Sequence, residues 1–438
     1  MLEISNGAKK AIELLRKNGH EAYLVGGCVR DMIMGIMPHD YDITTSATPD
    51  EMKEAFEGFQ IVETGIKHGT ITFIYEKEPI EITTYRIEGE YRDNRHPESV
   101  EFTKKLDFDL SRRDFTMNAI VYNDEEGVKD LFGGQNDIEN KIIRAIGDPE
   151  KRFQEDALRI LRAARFSSTL GFKIEENTKA AMVKCAPLLH NISAERINAE
   201  LTKLLVGKYV KNTILDCYEI IGEIIPEIKK MHGFDQHNKY HIYNVLEHTA
   251  VSVESIDPVP HLRLAMLLHD TGKIKCFTRE ENGTGHFYGH PSASARIAEE
   301  FLKKYKYDNF TKERVCELVR IHDSPIEMDR IFIRKRMSRI GKDMFFDLIK
   351  VKRADNMAQN PEFCWLDKLK KMEDIAKDIA ENDCFTLSRL NVSGNDLIAL
   401  GYKGQEIGNT LNFLLKEVIN EKIPNEREKL LERVRKNK

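Results

Sequence analysis

The chain has 438 residues, of which 41% are hydrophobic and 32% charged, and carries a net charge of −5. That length exceeds one hydrophobic core and calls for roughly two to four domains, while the composition excludes a disordered chain and the lack of any run of about eighteen apolar residues excludes a membrane-spanning helix. The charge does not mark a nucleic-acid binder, so a nucleic-acid partner would have to use local basic patches.

The first residues, Met1 to Ser5, hold no basic region followed by an apolar one, which argues against a secretory signal. Seven cysteines are scattered and never spaced as Cys-x-x-Cys. This argues against a disulfide framework or structural zinc and for the reducing cytoplasm. Ala8 to Asn18 reads as an amphipathic helix. Leu24-Val25 then ends a short apolar run, Gly26-Gly27 turns, and Cys28 to Met34 can coil. A strand, a glycine turn and a helix N-terminus present free backbone N–H groups that suit a phosphate. Asp40 and Asp42 follow in a β-leaning stretch, where period two puts both carboxylates on one face. Such a pair favours a hard divalent cation, typically Mg²⁺. With twelve residues between Gly27 and Asp40, the ordered combination resembles the signature of the polymerase-β nucleotidyltransferase superfamily.

Thr48 reads as the cap of a helix with Pro49 at its first position. Thr70 to Tyr75 alternates, Glu78-Pro79 turns and Ile80 to Arg86 alternates again, a β-hairpin pattern. Glu81, on its second strand, can supply a third metal-facing carboxylate. Glu88 to Pro97 is polar and turn-rich and reads as a mobile loop. After Pro149 the chain turns helical almost to its end. Lys151 to Phe166 forms one helix in this reading, and Asp156, Arg159 and Arg162 fall within an arc of roughly 120° on it. One reading is a salt-bridged surface helix, since Glu155 and Arg159 are an i,i+4 pair. The other is base recognition. A carboxylate only accepts and a guanidinium only donates, so the pair suits cytosine and adenine and mismatches uracil and guanine, at roughly 1–3 kcal/mol per bidentate contact. Ser193 caps a further helix to Leu205. Between about 232 and 358, His241, His269-Asp270 and Asp355 follow in the order H…HD…D, with His290 and His322 between them. Imidazoles and carboxylates on facing helices suit a transition metal or Mg²⁺.

Dense motifs over roughly residues 20–205 resemble the bacterial class II tRNA nucleotidyltransferases, the CCA-adding enzymes, and their poly(A) polymerase relatives. They are Gly26-Gly27-Cys28-Val29-Arg30-Asp31 with Asp40-Tyr41-Asp42, Arg112 to Ala119, Asp130 to Gly134, Glu155 to Arg159 and Ser193 to Ile197. A weaker likeness returns at Val392 to Leu397 and Gly404 to Gly408. The histidine-rich stretch looks like an HD-type phosphohydrolase domain.

The resemblance implies an α+β fold: a polymerase-β-like head of mixed sheet and helices over 1–148, an all-α neck over 149–225, an HD-type domain over 226–358 and a helical, tRNA-binding body and tail over 359–438. It implies Mg²⁺ on Asp40 and Asp42, with Glu81 nearby. Gly26, Gly27 and Arg30 would touch phosphates, Arg113 and Asp114 would hold phosphate and ribose, Asp156 and Arg159 would read the base, and Arg162 and Arg165 would complete the nucleotide site. In the HD-type domain His241, His269, Asp270 and Asp355 would hold a divalent transition metal. The implied activity is addition of C, C and A to the tRNA 3′ end from CTP and ATP, in the cytoplasm, without template or membrane and in an oligomeric state the sequence leaves open. The family ties a loop such as Tyr91-Arg92-Asp93-Asn94-Arg95 to the switch from C to A. Three readings compete: an enzyme adding only A to tRNA or poly(A) to RNA, an HD metal phosphohydrolase, and a non-catalytic RNA-binding protein using Arg334-Lys335-Arg336 and the basic tail.

Overall fold

A computed structural model describes residues 3–89, 99–325 and 327–436, so the loop Tyr91–Arg95 lies outside the described residues. The chain divides into two units, 1–229 and 230–438.

The first unit opens with α1 (Asn6–Lys17), whose Ser5 side chain accepts from the Ala8 N–H. Next come β1 (Ala22–Val25), α2 (Gly27–Ile33), β2 (Asp42–Thr45), α3 (Pro49–Ala55), β3 (Gln60–Val62), β4 (Thr70–Tyr75) and β5 (Glu78–Thr84). Thr48 and Glu51 close a capping box on α3, with Pro49 at its start. A ribbon of β6 (Arg86–Glu88) and β7 (Val100–Phe102) and the short α4 (Leu106–Ser111) lead to β8 (Ile120–Asn123) and β9 (Gly127–Asp130). The seven-stranded sheet runs β3-β4-β5-β2-β1-β8-β9. Its neighbours pair antiparallel except β2 and β5, which run parallel with Asp42 opposite Glu81. The hairpin turn falls at Glu76-Lys77, both with positive φ, not at Glu78-Pro79. A two-residue turn of this kind follows the natural twist of the strands. Pro79 can then sit in β5 because pairing with β2 begins only at Glu81. Tyr23, Val25, Tyr85, Leu110, Ala119 and Val121 form one buried cluster against this sheet.

α5 (Gly134–Glu139) and the β10 (Ile142–Ile143) to β11 (Lys173–Ile174) pair close the sheet region. The expected helix over 151–166 is two: α6 (Pro149–Glu155) and α7 (Leu158–Leu170). Asp156 breaks it with φ −135 and ψ 102, and its carboxylate accepts from the Leu158 N–H at 3.1 Å. A short acidic side chain that bonds the backbone two residues on outcompetes continuation of the helix. α8 (Glu176–Cys185), α9 (Ala194–Leu205), α10 (Val210–Asp216) and α11 (Tyr218–Ile224) complete this unit, and α12 (Pro226–Met231) carries the boundary. Ser193 holds the N-cap position of α9 but makes no side-chain cap bond.

The second unit is helical: α13 (Val245–Ser255), α14 (Pro260–Leu268), α15 (Lys273–Cys276), a hairpin of β12 (Thr278–Arg279) and β13 (Gly285–His286), α16 (His290–Lys304), α17 (Asn309–Ile321), α18 (Arg330–Ile340), α19 (Lys342–Met357), α20 (Leu366–Asn382), α21 (Gly394–Ala399), α22 (Gln405–Ile419) and α23 (Arg427–Lys436). One core packs Ile333, Met337, Phe345, Ile349 and Met372; another packs Leu397, Leu414, Val418 and Leu430. No described helix is long and apolar enough to cross a membrane.

Candidate nucleotidyl-transfer and metal sites

In the first unit a cavity of about 460 Å³ is lined by Gly26, Gly27, Arg30, Asp40, Asp42, Arg113, Asp114, Asp156, Arg159, Arg162 and Arg165. Each had been expected at a nucleotide site from the sequence. Gly26, at φ 82, is the N-cap of α2. The positive φ excludes a side chain without strain, and a Cβ there would stand 3.6 Å from Arg113 Nη1 and 4.0 Å from Asp42 Oδ2. Glu81 is not part of the cavity lining, but parallel register sets it beside Asp42.

Only Asp42 lies in a strand; Asp40 sits in the bend before β2, so strand periodicity is not what aligns the pair. Desolvation in the cleft, and then the charges of Asp40 and Glu81, push the Asp42 carboxyl up to about 6 against the pull of Arg113. Carboxylates crowded to that degree fit a hard divalent cation, which would relieve their repulsion.

Opposite them stand six arginines, Arg30, Arg112, Arg113, Arg159, Arg162 and Arg165. The sequence reading assigned no role to three groups that hold them. Asp109, fully buried, pairs with Arg112 at 2.7 Å and Arg113 at 3.3 Å. Asn118 Oδ1 accepts from Arg30 Nη1 at 2.9 Å. The Phe166 ring lies under the guanidinium carbons of Arg30, Arg162 and Arg165 at 5.2, 5.5 and 4.0 Å. The shared ring adds a cation–π contact to three arginines that each also pair with a carboxylate, Arg30 with Asp31, Arg162 with Asp114 and Arg165 with Glu200. The i,i+4 spacing of Arg162 and Phe166 was the available signal.

Arg162 donates to Asp114 at 2.8 and 2.6 Å. Arg159 donates through Nη1 to Glu155 and the Arg152 carbonyl, and through Nη2 to the Arg112 carbonyl. Its Nε–H and one Nη2 N–H have no partner among the described residues. Arg196 Nη2 donates to Asp156 Oδ2 at 2.8 Å. Glu155 thus anchors Arg159 as their i,i+4 spacing suggests, and the anchored Arg159 lines the cleft with Asp156.

The second unit gathers His248, His269, Asp270, His290, His322 and Asp355. It places His248, rather than His241, against the acids: His248 Nε2 is 2.9 Å from Asp355 Oδ1 and 3.4 Å from Asp270 Oδ2. His241 precedes α13, with its ring centroid 5.1 Å from that of His248 and its buried Nδ1 unpartnered. His248 shares the buried face of α13 with Val245, Thr249 and Ser252, a spacing visible in the sequence.

Four imidazoles point Nδ1 at backbone carbonyls: His248 at Ala358 (3.1 Å), His269 at Met266 (2.6 Å), His290 at Phe287 (2.9 Å) and His322 at Val319 (2.7 Å). A carbonyl only accepts, so each Nδ1 carries a proton and each Nε2 is left to face the cluster. The Nε2 atoms of His248 and His269 face each other at 3.4 Å, and those of His290 and His322 at 3.2 Å. Deprotonated, the paired Nε2 atoms could each ligate a metal ion. Asp270 is fully buried, and neither of its oxygens has a hydrogen-bond partner of sound geometry, although Lys273 Nζ stands 2.7 Å from Oδ2. The donors form two groups sharing Asp270: His248, His269 and Asp270, and Asp270, His290 and His322. Preset tautomers around an unsatisfied carboxylate fit divalent transition metal.

Comparison with known proteins adds the following. Residues 22–144 match the family model of the poly A polymerase head domain, 171–231 that of the probable RNA and SrmB-binding site of polymerase A, and 287–434 that of the putative tRNA nucleotidyltransferase domain 2. The chain is 32% identical over 420 residues to the CCA-adding enzyme of Bacillus velezensis, covering 95% of this chain and 94% of that one. It is 33% identical over 423 residues to the CCA-adding enzyme of Bacillus cytotoxicus, with the same coverage. The crystal structure of the Bacillus stearothermophilus CCA-adding enzyme in complex with CTP superposes with a TM-score of 0.75 at 28% identity, covering 98% of both chains.

Proposed function

The chain belongs to the CCA-adding enzymes, and from that premise we propose that it adds C, C and A to the 3′ end of tRNA from CTP and ATP, without a nucleic-acid template. The observation that carries this reading is the single cavity in which the glycine turn, Asp40 and Asp42, six arginines and Asp156 converge. The acceptor 3′-oxygen attacks the α-phosphorus in line. The bond from that phosphorus to its bridging oxygen breaks, pyrophosphate leaves and the hydroxyl proton passes to solvent. Asp40 and Asp42, with Glu81 in support, would hold Mg²⁺, which supplies charge stabilisation for the attacking and leaving oxygens. Gly26 and Gly27 leave room for the triphosphate, and the arginines neutralise it. Asp156 accepts from the amino group of cytosine or adenine, while the unpartnered Arg159 donors face the ring nitrogen. Seven free cysteines suit work in the reducing cytoplasm.

The test offers tRNA ending in the discriminator base, in C or in CC, each with one labelled nucleotide. Full CCA synthesis requires C on the first two and A on the third. Incorporation of A onto tRNA-CC with no C on shorter ends would replace this reading by the A-only enzyme.

The second unit supports a second activity. Its two donor groups sharing Asp270 suit an HD-type phosphohydrolase, with His248, His269, Asp270 and Asp355 on one side and His290 and His322 on the other. The metal would supply a water acidic enough to attack a phosphoester at neutral pH, and Lys273 would steady the phosphate. Equal metal content in wild type and the His269→Ala/Asp270→Ala protein would count against it.

A further inference from the structure

The fully buried Asp109 carboxylate of α4 stands between the strand that carries Asp42 and the arginines of the first cleft. Its Oδ2 accepts from the Thr44 hydroxyl at 3.0 Å and from Arg113 Nη2 at 3.3 Å. Its Oδ1 accepts from Arg112 Nε and Nη2 at 3.0 and 2.7 Å, and from the Arg86 N–H at 3.4 Å. Burial disfavours its charge, yet Arg113 and Arg112 outweigh burial and hold the carboxyl below its ordinary value. Thr44 lies two residues beyond Asp42 in β2, so the two side chains share a face. It is paired with Thr83 as Asp42 is with Glu81. Asp109 is therefore fastened to the same strand that presents Asp42.

Arg113 has far less holding it. Among the described residues Asp109 is its one side-chain partner, and its buried Nε has none. Its Nη1 and Asp42 Oδ2 lie 3.6 and 4.0 Å from one point, the Cβ position that Gly26 lacks. Burial and the charges of Asp40 and Glu81 push the Asp42 carboxyl up, and Arg113 pulls it down. The guanidinium is thus near enough for Asp42 to feel its charge, yet its ion pair is with Asp109. Released from there, it could swing onto the crowded carboxylates and relieve their repulsion as a divalent cation would. We propose that Asp109 is a positioning residue for divalent-cation binding: tied to β2 through Thr44, it holds Arg113 back from Asp40 and Asp42, so that the metal and not the guanidinium neutralises them. This rests on the reading that Asp40 and Asp42 hold the cation. A carboxylate that never touches the metal then governs its affinity by restraining a competitor.

The test measures Mn²⁺ bound at equilibrium to the full-length protein, by electron paramagnetic resonance of the free ion. The Mn²⁺ that Asp40→Ala loses defines the site of the first unit. Asp109→Asn should weaken binding there about tenfold, the effect of one new arginine–carboxylate pair. The Mg²⁺ concentration for half-maximal nucleotide incorporation should rise by a similar factor. In an Arg113→Gln background the same substitution should change Mn²⁺ affinity by less than about twofold, because no guanidinium is left to restrain. A merely structural role for Asp109 would weaken binding in both backgrounds, and that result overturns the proposal, as does wild-type affinity in Asp109→Asn. Thr44→Val keeps the branched shape that suits a strand and removes the hydroxyl, so it serves where Asp109→Asn does not fold. It should weaken Mn²⁺ binding with Arg113 present and leave it unchanged in Arg113→Gln; no weakening in the first case overturns the tether. If Asp40→Ala binds as much Mn²⁺ as wild type, the reading of Asp40 and Asp42 as the cation site fails first, and the proposal with it.

Discussion

At Asp114 two opposing effects meet. Burial disfavours its charge, yet Arg162 and Asn118 outweigh burial and hold the carboxyl at about 2. Because the folded value lies below the unfolded one, the ionised pair stabilises the fold fully above about pH 4. That contribution disappears as pH falls through about 2, and amounts to about 2 kcal/mol. Asp114→Asn should therefore flatten the fall in melting temperature between about pH 4 and 2, as followed by circular dichroism. Phe166 makes a different kind of contribution. Phe166→Leu keeps an apolar side chain on the buried face of α7 and removes the ring that three guanidinium groups share. KM for ATP and CTP should rise together about fivefold with kcat little changed; a change confined to one nucleotide would mean that the ring acts on the base instead.

The break between α6 and α7 shows what an element can hide from its sequence. The Thr48 cap with Pro49 at the first position was legible, as was the alternation of β4 and β5. The break at Asp156 was not, because its cause is a side chain bonding to the next helix and to Arg196, forty residues on. Arg196→Ala should release that carboxylate and lower the preference for CTP over UTP about tenfold, read as the ratio of kcat/KM values. The same limit explains the histidines. The order H…HD…D was visible, but choosing His248 over His241 required knowing where α13 begins. His248→Ala should lose bound transition metal, measured by elemental analysis, whereas His241→Ala should keep it.

Across the whole molecule, the residues of the first cleft come from both the sheet and the helices that follow it, and their shared destination was readable only through the family's motifs. The structure adds the parts that hold them: Asp109, Asn118 and Phe166. Because the two sites lie in separate units, Asp40→Ala should abolish nucleotide incorporation while leaving the metal content of the second unit at the wild-type level. The parallel pairing of β2 with β5 also has a kinetic meaning. Asp42 and Glu81 meet across a span that includes α3, β3 and β4, and loop-closing entropy must be met before that pairing gives anything back. That cost favours assembly of the carboxylate trio after local hairpins such as β4–β5. If Mg²⁺ binds this trio as proposed, it should slow unfolding far more than it speeds folding, measured as the two arms of a denaturant chevron with and without Mg²⁺.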